Sequence, residues 1–453
     1  MVQIKIGLYN LIKIYTIPLL IFICGSFFLW LNIANPAGHY DVDSYGYDAI
    51  AIYFAKTGIL TDPNNIASPP IQPVGYHFFL GLLYLLFGHS LAVVLFVQII
   101  LMVFSLILLI SITQKLFGNK VAFVGGLLAS LNLGFLIYPQ LILAEVVLVL
   151  LLLLFMNYYI SFLETSSLRA LIFSGLFLGI SMLVKPVALL SMAPLLILTY
   201  IAHDISVIDR MRNIFVLLIC FLLPILSYME RNYVHYGAFA FAPMAQLNMY
   251  QCFLSKVIGH VESIDQQEVI ETQLRFNADQ AFDHAGWTRA QEHFYYYLSS
   301  YPHLFCYIWM KNVIKTWLGL YSTQLKLMIQ PPDHLPTHSF FNQKGSLLTR
   351  LYTYIVGATD RIDIMILAWA ELFYALMRLI FAAMGLSILM QKKRVVGCFF
   401  LSMMITFSIV TGIDGCCRYR IAFEPILLLL AAIGLVYVYV YFIKKRESVY
   451  EIA

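Results

Sequence analysis

The chain has 453 residues, of which 61% are hydrophobic and only 11% charged. Soluble domains run near half apolar and a quarter charged, so this composition, with a mean hydropathy of +0.83, excludes a soluble protein and predicts an all-α polytopic membrane protein. A net charge of +4 and the lack of any basic stripe with interleaved aromatics exclude nucleic acid as a partner, and no C-x-x-C spacing among the seven cysteines points to structural zinc.

In chain order, about ten apolar runs are long enough to span, near 14–33, 90–113, 120–138, 142–162, 169–184, 187–203, 212–230, 364–389, 395–412 and 421–443. The first is read as a retained helix because no small-residue cleavage site follows it. The fifth and sixth are short and split by Lys185-Pro186, where proline stops or kinks a helix. The piece Tyr76 to Phe87 is too short to span and is read as a helix lying at the surface. Cys24, Cys220 and Cys398 fall in apolar runs as small hydrophobes, while Cys252 and Cys306 would pair if their loop faced an oxidising compartment.

Orientation follows from Lys and Arg in the short connections. With ten spans, Lys5, Lys13, Lys115, Lys120, Arg169, Arg210, Arg212, Lys392, Lys393, Arg394, Lys444, Lys445 and Arg446 all fall on one side, which predicts cytoplasmic termini. The chain then divides into an N-terminal transmembrane module, 1–230, with a first outer loop at 34–89; an extracytoplasmic segment, 231–363; and C-terminal transmembrane helices, 364–453. The polar text from Val261 reads as one or two amphipathic helices, and Pro331-Pro332 and Pro336 mark irregular loop. No internal repeat stands out.

This topology gathers ionisable groups from separate parts of the chain on the outer side. They are Asp41, Asp43 and Asp48 in the first loop, Glu145 at the mouth of the fourth span, Lys185 at the helix break, Arg231 after the seventh span, and Arg418 and Arg420 before the last. Charges at or in spans are costly, and their default reading is a functional site. Each also has a plainer reading. Arg418 and Arg420 would snorkel to headgroups, Lys185 would bond carbonyls freed by Pro186, and Glu145 would be one half of a structural ion pair. Asp41 would sit in a turn, and Asp48 at a helix N-terminus where the dipole favours a carboxylate.

The text Asp43-x-x-x-Tyr47-x-x-x-Ala51, then Pro73-x-Gly75-Tyr76-x-x-Phe79-Leu80-x-x-Leu83-Tyr84 through Phe87-Gly88, then Gln98, resembles the polyprenyl-phosphate-sugar-dependent glycosyltransferases of the GT-C superfamily. The nearest branch is that of protein O-mannosyltransferases and the bacterial aminoarabinose transferase of lipid A. Leu143-Ala144-Glu145, Leu183-Val184-Lys185-Pro186, Arg231-Asn232-Tyr233 with Gly237, and Arg418-Tyr419-Arg420 with Pro425 follow in the family's order. The resemblance implies transfer of a sugar from a polyprenyl-phosphate donor to a glycan, lipid or protein hydroxyl, with inversion, at the outer face of a bacterial inner membrane. It implies Asp43, with Asp41 as its neighbour, as the catalytic carboxylate. Glu145, Lys185, Arg231, Arg418, Arg420, Tyr47 and His77 would be substrate-binding. It requires no cofactor, although Asp41, Asp43 and Glu145 offer oxygens for a divalent cation. His77 departs from the branch's usual apolar residue, and Asp41-Val42-Asp43 replaces the Asp-Glu pair of eukaryotic members. A transporter or lipid flippase, or an assembly protein with no chemistry, are the alternatives. Convergence of Asp43, Glu145, Lys185 and Arg418 in one cavity separates the enzyme from both.

Overall fold

The computed structural model describes residues 2–33, 35–272, 274, 284–329, 346–355 and 362–450, and among these the chain is helical with no named strand. Ten helices lead up to the polar segment: α1 (Val2–Asn32), α2 (Val42–Thr57), α3 (Gly75–Phe87), α4 (Leu91–Phe117), α5 (Asn119–Ser130), α6 (Leu133–Ile137), α7 (Glu145–Thr165), α8 (Leu168–Val184), α9 (Met192–Ile201) and α10 (Val207–Tyr236). The polar segment contributes α11 (Met244–Leu247), α12 (Ser255–Glu262), α13 (Gln266–Thr272), α14 (His284–Ser300), α15 (Pro302–Leu318), α16 (Ser322–Ile329) and α17 (Leu347–Ile355). Then come α18 (Ile362–Lys392), α19 (Arg394–Thr411), the single turn α20 (Cys417–Arg420) and α21 (Glu424–Tyr450). The prolines Pro331, Pro332 and Pro336 lie outside the described residues.

All ten predicted apolar runs are helical. Among the described residues seven helices are long and apolar enough to cross a membrane, or eight if α5 and the stretch Leu133–Gln140, bent by 59°, form one broken span. The other two runs, α8 and the stretch Pro186–Ile201, are shorter. The chain breaks between them where Lys185 turns extended and Pro186 opens a 3-10 turn, Pro186–Ser191, because proline cannot donate to the preceding turn. Helix α10 runs six residues beyond the predicted span, so Arg231 lies inside its last turns rather than after it.

Packing puts α7 at the centre, against α4, α8 and α19, while α21 packs along α18 and α5. The α18–α21 contact depends on Gly385 and Gly434. A Cβ on Gly385 would fall 1.9 Å from the Leu430 carbonyl, and one on Gly434 would fall 2.1 Å from that of Phe381, so only glycine lets these backbones approach.

Near the start of α7 the chain between Tyr138 and Ala144 is mostly non-helical and deeply buried, so its carbonyls need donors. Gln98 of α4 supplies them: its amide donates to the Pro139 and Leu141 carbonyls at 3.2 and 2.8 Å, while its oxygen accepts from Tyr76 at 2.7 Å. His39 joins the same stretch through the Gln140 carbonyl at 2.7 Å. Helices α2 and α3 are thereby fixed over the head of α7. The outward face of α3, with Phe78, Leu82, Leu85 and Leu86, is exposed, while Tyr76, His77, Leu80 and Tyr84 are buried, which is the amphipathic pattern of a surface helix.

The polar segment has its own apolar cluster, built from Phe253, Leu254, Val257, Ile258, Val269, Tyr297, Phe305 and Ile308 among others. It is tied to the turn between α19 and α20. Asn312 donates to the Gly412 and Ile413 carbonyls at 3.0 and 3.1 Å, and Lys256 pairs with Asp414 at 2.6 Å. Cys252 and Cys306, which an oxidising compartment would allow to pair, are both free thiols.

Candidate active site

Helix α2 begins with Asp41 as its N-cap. The Asp41 carboxylate accepts from the Val42 amide at 2.6 Å, and the Ser44 hydroxyl accepts from the Asp41 amide at 2.8 Å, a reciprocal capping box. Capping is therefore the work of Asp41. Asp48, expected at the helix start, sits in mid-helix instead. Tyr84 donates to it at 2.5 Å and Tyr40 at 3.3 Å, and His89 lies 3.0 Å away. The carboxylate fastens α3 to α2 and is not at a dipole end.

Asp43, in the first turn of α2, is left free by this capping to point at the chain's other end. Its carboxylate lies 2.7 Å from Arg418 Nη1, and Asp41 lies 3.9 Å from the same nitrogen. The Arg418 Nε–H donates to Glu145, and Lys185 Nζ donates to the same Glu145 oxygen at 2.5 Å. Glu145, the first residue of α7, is 1% exposed and its second oxygen has no protein partner; nor has Arg418 Nη2. Burial, then the neighbouring Arg418, pull the Lys185 ammonium below its ordinary range, with Glu145 opposing. Its charge lies 5.7 Å over the Tyr419 ring. Four charged residues from α2, α7, the α8–α9 break and α20 thus form one chain of contacts, Asp43–Arg418–Glu145–Lys185.

This chain borders an open-mouthed cavity of about 150 Å³ lined by Asp43, Tyr47, Gln72, Pro73, Lys185, Asn248, Asp414 and Tyr419 among others. Asp43 and Lys185 reach its wall, and Glu145 and Arg418 stand behind them. Tyr47 is buried edge-on against Tyr76 and His77, with ring centres 4.9 and 5.0 Å away. Among the described residues no three His, Cys, Asp or Glu side chains group closely enough to hold a metal ion. The guanidinium of Arg418 stands between the carboxylates of Asp43 and Glu145.

Three sequence candidates stand away from this cavity. Arg231 donates to the Leu60 carbonyl at 2.5 Å and to Asn232 at 3.0 Å, holding the α2–α3 connection onto α10. Arg420 points to the other side of α20, because residues two apart on a helix do not share a face. There it donates to Glu424 at 2.9 Å and to the Trp317 and Gly319 carbonyls at 2.9 and 2.7 Å, and stacks on Tyr321 at 4.3 Å. His77 is fully buried behind Tyr47, bonded at 3.1 Å to the Pro73 carbonyl.

Burial pushes the His77 imidazole down from 6.5 to about 4, against the smaller upward pull of the Pro73 carbonyl. The folded chain therefore holds it neutral. Below about pH 6.5 the unfolded chain takes up a proton that the folded chain refuses until about pH 4. This contribution to stability is whole above that window and falls as pH falls through it, by about 1.4 kcal/mol per pH unit. Thermal unfolding in detergent should show a shallower acid slope for His77→Gln than for the wild type; parallel slopes would contradict the assignment.

Sequence reasoning missed Asp414, Gln72, Asn248 and Tyr419 on the cavity wall. Asp414 and Tyr419 lie in the turn already placed with Arg418, so the position was legible and the role was not. It also missed Glu371, Arg378 and Glu424, which are buried charges in or at the head of predicted spans, although ionisable residues there are a signal in themselves.

Residues 71–228, less than half of the chain, match the family model described as dolichyl-phosphate-mannose-protein mannosyltransferase. The match includes Glu145 and Lys185 and stops short of Asp43 and Arg418. No curated protein sequence matches the chain. Among solved structures, the archaeal oligosaccharyltransferase AglB from Archaeoglobus fulgidus, in complex with an inhibitory peptide and a dolichol-phosphate, is similar over 97% of this chain with a TM-score of 0.55 at 10% identity. The oligosaccharyltransferase of the same organism in the apo form gives 0.49 at 11% identity over 96% of this chain. This chain spans about half of each, 51% and 52%. The chain is a helical polytopic membrane protein whose fold is similar to that of AglB over nearly its whole length.

Proposed function

We propose that this protein is an integral membrane glycosyltransferase that moves a sugar from a polyprenyl-phosphate donor to a hydroxyl of an envelope glycan, lipid or protein, with inversion. We place the cavity on the outer face of a bacterial inner membrane. The observation that carries this reading is the placement of Asp43 on an open cavity at the end of the Arg418–Glu145–Lys185 chain. A positioned carboxylate beside two cations, all supported by one buried acid, is what transfer from a lipid phosphate asks for.

Asp43 takes the proton from the acceptor hydroxyl as its oxygen attacks the anomeric carbon. The bond to the phosphate oxygen breaks on the opposite face, which inverts that carbon. The lipid phosphate leaves as an anion, stabilised by Lys185 and Arg418 without a proton donor. Arg418 holds Asp43 at 2.7 Å. An incoming phosphate competes for that guanidinium and frees the carboxylate to act as base. Tyr47, Gln72 and Asn248 are placed to contact the sugar. Orientation has support from the far end of α7. There Glu164 pairs with Lys115 and Lys393 at 3.1 and 2.8 Å, so basic groups meet one helix length, about 30 Å, from Glu145.

Comparing the glycolipids and envelope glycans of a deletion strain with those of the complemented strain, by mass spectrometry, identifies donor and acceptor. An unchanged glycan profile argues for a transporter or assembly role. Lys185→Ala should raise the apparent KM for the lipid-phosphate sugar about ten-fold or more, one charge-assisted contact being worth roughly 1.5–3 kcal/mol. An unchanged KM removes Lys185 from the phosphate site. Activity that survives a strong chelator fits the cation pair; activity that chelation abolishes replaces it with a metal.

A further inference from the structure

A second cavity, of about 230 Å³, lies on the other side of α20 and shares no lining residue with the first. Its wall includes Asn132, Tyr321, Glu371, Tyr374, Arg378 and Arg420. The polar groups at its floor are paired, with one exception. Glu371 accepts the Tyr321 and Ser322 amides at 2.6 and 2.8 Å, so its charge is directed to the start of α16. Glu424 accepts from Asn132 at 2.7 Å, from Arg420 and from Arg378. Arg420 is held by three carbonyls and by Glu424. The exception is Arg378. It is 3% exposed, and only its Nη1 is used; Nε and Nη2 are buried with no partner among the described residues.

These two nitrogens form one edge of the guanidinium, with parallel N–H bonds. That edge matches the two oxygens of a phosphate or carboxylate in a bidentate contact. Buried donors without an acceptor are rare in native proteins, and a charged one is the least tolerable. The two guanidinium groups of the wall are matched by Glu371 in the wall and Glu424 directly behind it, so what remains without an acceptor is the Arg378 edge. At the rim stand Leu131 and Ala370, both exposed, with Trp369 and Phe373 exposed beside them on α18. A cavity with an unpartnered guanidinium edge at its floor and an apolar rim on a spanning helix admits an amphiphile from the bilayer more readily than a solute from water.

We propose that this cavity is a second binding site, distinct from the sugar-transfer cavity, in which Arg378 grips the phosphate of an anionic membrane amphiphile. The reading does not depend on the glycosyltransferase assignment. The test uses the purified full-length protein in neutral detergent, with phosphatidic acid and inorganic phosphate as separate probes. Phosphatidic acid should raise the unfolding temperature saturably, and native mass spectrometry should show one bound lipid per chain. Arg378→Lys keeps the pair with Glu424 but removes the fork, and Ala370→Trp blocks the rim without touching any charge. Each should weaken binding about ten-fold or more, as expected for losing a charge-assisted contact or the way in. Lys185→Ala should leave it unchanged. A shift with inorganic phosphate alone, lost in Arg378→Lys, supports the same anion site with free phosphate as its ligand. Absence of a shift with either probe, undiminished binding in both Arg378→Lys and Ala370→Trp, or loss of binding in Lys185→Ala overturns the proposal.

Discussion

Asp43→Asn should abolish sugar transfer while leaving the protein folded in the membrane. Asparagine keeps the size of the side chain and cannot accept a proton from the acceptor hydroxyl. A positioned general base contributes roughly 10²–10⁴-fold, so kcat should fall by about that factor with KM for the donor little changed. The fold should survive for a geometric reason. Asp43 is 38% exposed in its side chain, the cap of α2 is made by Asp41 and Ser44, and Arg418 keeps Glu145 as its buried partner. Asp41→Asn is the control, because asparagine also caps a helix and should cost little. Full turnover by purified Asp43→Asn would remove it as the base, and a loss confined to Asp41→Asn would transfer the role to the cap residue two positions back.

The largest expected effect on stability is at Glu145. Its single paired oxygen receives both Lys185 and Arg418 inside the protein, and removing one partner of a buried ion pair leaves uncompensated charge costing about 3–5 kcal/mol. Glu145→Gln should therefore lower the unfolding temperature and the yield of folded protein, and remove activity with them. The double variant Glu145→Gln with Lys185→Met should recover part of that loss, since the stranded ammonium goes with the carboxylate. Additive effects would show that the two residues are not coupled. A Glu145→Gln protein as stable as the wild type would show that Asp43 alone suffices to hold Arg418.

The two arginines near the last span show where reading a sequence stops. Arg418 and Arg420 stand together in the chain with the same charge and the same predicted face of the membrane, and both read as members of one phosphate clamp. The turn α20 sends them to opposite sides, one to Asp43 and Glu145, the other to Glu424, Tyr321 and the carbonyls closing α15. A helical reading of three residues is too short for periodicity to reveal. The i,i+4 spacing of Arg420 and Glu424 was visible and would have separated them. His77 and Arg231 were likewise legible as polar groups in the right loops. Arg231's bond to the Leu60 carbonyl depends on chain far away in sequence, and His77, though bonded to nearby Pro73, is buried under Tyr47 of the preceding helix.

Composition, apolar run lengths and proline placement determined by themselves that this is a helical membrane protein, where its helices run, and that the chain breaks at Lys185. Those are local consequences of desolvation and backbone geometry, and each is decided within about twenty residues. The order of the motifs resembles that of GT-C glycosyltransferases, and the fold is similar to that of AglB over 97% of the chain. Only the tertiary structure decided that α2, α7, the α8–α9 break and α20 bring their charges to one point, that Asp41 rather than Asp48 caps α2, and that a second charged cavity opens behind Arg420. Those outcomes depend on which helices touch, and contact between helices separated by hundreds of residues is set by packing of the whole bundle, glycine by glycine, rather than by any segment alone.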